Sequence, residues 1–151
     1  MKQYKITLNE NQMRAIMDAT DLLQRVQLGQ WREIQDSLPL KKDVDYSEFH
    51  QDMRIIGEIL SKYMISNING FESSLGIGNP NLPDNNGNLN DIHRCIRYKL
   101  AMERAVEKRI IESENSPRKF PEMFTVDYDP PSSIKWGKEP LITIERVNSA
   151  T

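Results

Sequence analysis

Within residues 93–108, HRCIRYKLAMERAVEK, five basic side chains fall on one edge of a helix: His93, Arg97, Arg104 and Lys108 in near register, with Arg94 at the margin. The pattern follows from a helical wheel of about 100° per residue. The acids of the segment, Asp91, Glu103 and Glu107, project elsewhere, and Glu103 follows Lys99 by four residues, the spacing of a helix ion pair. Arginine forks match the geometry of phosphate and carboxylate, so a row of them is a candidate anion site. The same row also suits a solvated helix face whose acids come from another element. Upstream, SLGIGNPNLPD feeds directly into this helix. Its glycine-rich backbone can approach a ligand closely, which adds Gly76, Ile77, Gly78 and Asn79 to the candidate site, although a turn-rich connector would have the same composition.

Other chemistries find little to work with. Two histidines, His50 and His93, and one cysteine, Cys95, are too few for a soft metal site, and no metal or cofactor is expected. His93 and Cys95 fall on different helix faces, which argues against a catalytic pair. GIGNP offers G-x-G without the third glycine or a preceding strand, and there is no P-loop lysine. Enzymatic function therefore ranks last. A net charge of −2 and a pI near 5.7 argue against a duplex-binding protein, which would be broadly basic.

The chain of 151 residues fits one domain, 1–151, and its 38% hydrophobic and 28% charged content is that of a globular protein built on amphipathic helices. No apolar run approaches the roughly 18 residues of a membrane span, and MKQYKITLNENQ lacks an apolar leader, so a cytoplasmic protein is expected. A lone cysteine agrees with a reducing compartment.

QYKITL alternates as a short strand. Asn9 and Gln12 form a capping box that opens a first helix, with Met13, Ile16, Thr20, Leu23 and Val26 facing inward and Gly29 as a C-terminal cap or kink; Trp31 and Ile34 continue a short helical piece toward Pro39. Asp45 with Glu48 forms a second capping box and opens a second helix. There Phe49, Met53, Ile56, Leu60 and Tyr63 recur at near-heptad spacing, which predicts lengthwise packing and, with the modest hydrophobicity, a homo-oligomer. Gly57 sits at the edge of that seam. Residues 66–90 read as a long Asn/Gly/Pro loop pinned by Phe71, Leu75, Ile77 and Leu82, and a third helix runs from about Asn88 to Glu112, its apolar face collecting Leu89, Ile92, Cys95, Ile96, Met102, Val106 and Ile110. MFTVDY and LITIERV read as strands. The expected fold is α+β: three main helices beside a small antiparallel sheet drawn from the N- and C-terminal strands.

SLGIGNPNLPD, IHRCIRYKLAMERA and FTVDYDPP, in that order, resemble a group of small phage and prophage proteins over most of the chain's length. No activity comes with the resemblance. It implies a mobile-element accessory protein of the kind that counters host defence, by sequestering a nucleotide signal or by occluding a host protein. The leading expectation is thus a binding protein that captures an anionic small molecule such as a signalling nucleotide. The alternatives are an inhibitor or adaptor docking on an acidic host protein and, behind it, a DNA-associated regulator.

Overall fold

A computed structural model describes residues 4–64, 74–108 and 135–146. Four helices occupy them: α1 (Glu10–Gln27), α2 (Arg32–Ser37), α3 (Tyr46–Ser61) and α4 (Asn86–Glu107). Helix α1 packs along α4, α2 packs against α1, and α3 packs on α2.

The helix ends form where the sequence places cap residues. Asn9 Oδ1 accepts from the Gln12 amide while the Asn9 amide donates to Gln12 Oε1, both at 2.9 Å, so two orphan donors of α1 are satisfied reciprocally. At the other end Gly29 takes φ +79°, its amide donates to the Val26 carbonyl, and the Gln30 amide donates to the Arg25 carbonyl. This Schellman closure needs a left-handed residue, which is why glycine stands there. Asp45 Oδ1 caps α3 by accepting from the Ser47 and Glu48 amides.

Trp31 and Met53 form one core, with Val26, Ile34, Phe49 and Met64 packed around them. The Trp31 indole N–H donates to Ser61 Oγ at 2.9 Å, and that hydroxyl donates to the Gly57 carbonyl one turn back. A second core lies on α4, where Cys95, Ile96, Leu100, Ala101, Met102 and Ala105 are buried.

The expected α+β class is overturned: among the described residues there is no strand. Residues 4–8 and 141–146 run without regular structure, and MFTVDY lies outside the described residues. Alternating apolar residues make a strand only when another backbone pairs with them. Here the Tyr4 and Ile6 side chains stay 83% and 74% exposed. Ahead of residues 141–146 the chain is tied to side chains of α4: the Asp91 carboxylate accepts from the Trp136 amide at 3.1 Å and the Gly137 amide at 2.7 Å, and Asn88 Oδ1 accepts from the Glu139 amide. The contact is close enough that a Cβ on Gly87 would lie 2.4 Å from the Trp136 carbonyl oxygen.

Two helix faces also differ from the expected ones. On α1, Ile16 and Leu23 are exposed whereas Gln24 is buried, so the helix is rotated to set polar residues against α4. On α3 the buried row is Met53, Gly57 and Ser61, while Ile56, Leu60 and Tyr63 of the expected seam are exposed. Helix α4 begins at Asn86 and is described to Glu107; Phe71, Ile110 and Glu112 lie outside the described residues.

Candidate functional site

Helices α1 and α4 meet through polar side chains, which leaves a groove between them. Asn86, only 1% exposed, donates from Nδ2 to the Gln24 carbonyl and to Gln27 Oε1, and Asn90 Nδ2 reaches Gln24 Oε1 at 3.4 Å. The buried Oδ1 atoms of Asn86 and Asn90 have no hydrogen-bond partner. His93 Nδ1 lies 3.2 Å from the Met17 carbonyl oxygen and 3.9 Å from Asp21 Oδ1. A carbonyl only accepts, so Nδ1 carries the proton in this arrangement.

Two adjoining cavities open along the groove. One, of about 340 Å³, is lined by Arg14, Met17, Asp21, Arg25, His93, Arg97, Leu100 and Arg104. The other, of about 280 Å³, shares Asp21, Arg25, His93 and Arg97 and adds Arg94, Tyr98 and the amides of Gln24, Gln30 and Asn90. The groove therefore has an arginine end and an amide end, joined by His93 and Arg97.

Among the described residues, five arginines and one histidine line the two cavities, and Asp21 is the sole carboxylate to do so. Neighbouring groups hold several of these arginines in place. Arg25 pairs with Asp21 at 2.7 Å and with Glu33 at 3.0 Å, and Arg14 pairs with Glu10 one turn before it. Arg104 Nε donates to the Leu100 carbonyl, and Arg94 and Arg97 are engaged with other groups of the chain. Such contacts fix the rotamers of long side chains, and a guanidinium carries five N–H donors in a fixed fork.

Of the residues expected from sequence, the groove gathers His93, Arg94, Arg97 and Arg104. Lys108 lines neither cavity; it is the C-terminal cap of α4. Gly76, Ile77, Gly78 and Asn79 also line neither. Their loop is tied to the end of α1 by the Leu75 amide donating to the Leu28 carbonyl, and Gly78 packs toward the Trp136 ring. Reading the sequence misses Arg14, Asp21, Gln24 and Arg25, because an α1 turned to bury Ile16 and Leu23 places those four elsewhere. The available signal is the row Met17, Asp21, Gln24 and Leu28, whose four-three-four spacing marks a second stripe along α1.

Among the described residues no cluster of His, Cys, Asp or Glu is arranged to hold a metal ion, and no helix is long and apolar enough to cross a membrane. Compared with protein-family models, curated proteins and solved structures, the chain matches none.

Proposed function

We propose that the protein is a non-catalytic binder of a compact phosphorylated molecule, such as a nucleotide, which it holds in the groove between α1 and α4. The observation that carries this reading is that Arg97 and Arg104, seven residues apart on α4, line one cavity together with Arg14 and Arg25 of α1. Fork geometry suits the arginine end to phosphate oxygens. The amide end, with Gln24, Gln30, Asn90 and Tyr98, suits the hydrogen-bonding edge and ring of a base. Taken with the resemblance of its motifs to those of small phage and prophage proteins, this reading makes the chain a cytoplasmic accessory protein that sequesters a host nucleotide signal. A second reading, docking on an acidic host protein, is favoured by Lys108, which extends the cationic row of α4 beyond the groove.

Titration calorimetry with pyrophosphate, ATP and a cyclic dinucleotide, paired with native mass spectrometry of freshly purified protein, tests the proposal. The expected result is saturable binding of at least one of them. Binding should be lost in the double variant Arg97→Ala/Arg104→Ala and kept in Lys108→Ala. Absence of binding to all three, or binding indifferent to the double variant, refutes the groove assignment. Loss through Lys108→Ala, with salt-sensitive capture of an acidic protein, supports the second reading instead.

A further inference from the structure

Helix α3 has a face that none of the groove residues uses. Met53, Gly57 and Ser61 are buried on one side. On the opposite side Ile55 and Ile59 stand 55% and 47% exposed, with exposed Asp52 three residues before the first and exposed Lys62 three residues after the second. The spacing of three, four and three places all four on one line of the helix surface, the a/d line of a helix pair. Ile56 and Tyr63, also exposed, widen it on one side.

This line is self-complementary when reversed. Ile55 and Ile59 lie two residues on either side of Gly57, and Asp52 and Lys62 lie five residues on either side. Laying the helix antiparallel against itself about the level of Gly57 sets each Ile55 opposite an Ile59 and each Asp52 opposite a Lys62, both twice. A parallel arrangement would set Asp52 against Asp52 and Lys62 against Lys62, which like-charge repulsion disfavours. Among the described residues neither Asp52 nor Lys62 takes part in an ion pair, so both charges remain available to a partner.

We infer that α3 is the dimer interface: it pairs antiparallel with α3 of a second copy of this chain, through an Ile55–Ile59 centre closed at each end by Asp52–Lys62. A two-fold axis requires an isologous patch of this kind. One helix pair buries less than the roughly 1,200 Å² at which stable interfaces begin, so the dimer is weak and concentration-dependent. The groove lies on α1 and α4, so the dimer and the anion site stand or fall separately.

Sedimentation velocity on the full chain, from low to high micromolar concentration, reads the association, and circular dichroism checks that each variant folds. These positions are solvent-exposed, so the substitutions leave the cores untouched. Asp52→Lys alone and Lys62→Asp alone each set like charges together at both ends and should weaken dimerisation at least about tenfold, which corresponds to about 1.4 kcal/mol. An equimolar mixture of the two single variants should recover dimer as a heterodimer, and the reciprocal double variant D52K/K62D should recover the homodimer. Ile59→Glu should leave monomer. A wild-type chain monomeric at every concentration overturns the inference and leaves the face to a different partner. A dimer indifferent to the single charge reversals, or one that mixing does not restore, overturns the antiparallel α3 register.

Discussion

Asp91 should hold the segment 135–146 on α4, and removing its carboxylate should release that segment before it unfolds the helices. Asp91 is 5% exposed, and its two oxygens accept from the Trp136 and Gly137 amides at 3.1 and 2.7 Å. A hydrogen bond to a charged group contributes about 1.5–3 kcal/mol, and a buried amide left without its acceptor costs about 1–3 kcal/mol. Two such bonds set a ceiling near 6 kcal/mol; both amides belong to a half-exposed segment that water can reach, which brings the expectation for Asp91→Ala to about 2–3 kcal/mol. Asp91→Asn keeps one acceptor oxygen and loses the charge, for about 1–2 kcal/mol. Native-state hydrogen exchange read at Trp136 and Gly137 measures the local opening directly, and urea unfolding followed by circular dichroism measures the global cost. Protection at those two amides should fall by about tenfold or more in Asp91→Asn and further in Asp91→Ala, with amides in the middle of α1 less affected. Gly87→Ala should reproduce the local effect by a different route, because its Cβ would meet the Trp136 carbonyl at 2.4 Å. Exchange at Trp136 and Gly137 unchanged within about twofold in Asp91→Ala would refute the reasoning.

Two other outcomes follow from the cores. Burial, with the Asp91 carboxylate adding to it, pushes the Cys95 thiol above its ordinary value, against smaller opposing effects from the Ile142 backbone and Arg94. The folded chain therefore keeps its thiol proton where the unfolded chain has lost it, so stability should decline as pH rises through the ordinary thiol range, and Cys95→Ala should flatten that decline; at neutral pH the native thiol should react with iodoacetamide far more slowly than in urea. Trp31→Phe removes the indole donor to Ser61 while keeping a ring in the core, and should lower stability by about 1–2 kcal/mol, read as a Tm drop of several degrees; an unchanged Tm would show that the hydrogen bond contributes nothing net.

The sequence by itself determines where the helices begin and how the first one ends. Asn9 with Gln12, Asp45 with the amides after it, and Gly29 after Leu28 act through bonds that span at most five residues, so their geometry is set by local spacing. It also determines that His93, Arg97, Arg104 and Lys108 share one edge of α4, because that edge is a property of helical period alone. Tertiary structure decides everything that depends on a partner distant in the chain. Gln24 turns inward on α1 because Asn86 and Asn90, more than sixty residues on, meet its backbone and side-chain oxygens; this rotation leaves Ile16 and Leu23 outside and brings Arg14 and Arg25 to the groove. The terminal segments run without strands because, among the described residues, no backbone pairs as a ladder with residues 4–8 or 141–146; Asp91 and Asn88 instead fix the chain just ahead of LITIERV, through the amides of Trp136, Gly137 and Glu139. Hydrophobic periodicity ranks helix faces by transfer from water, and it misjudges a face whose polar groups find hydrogen-bond partners elsewhere in the fold.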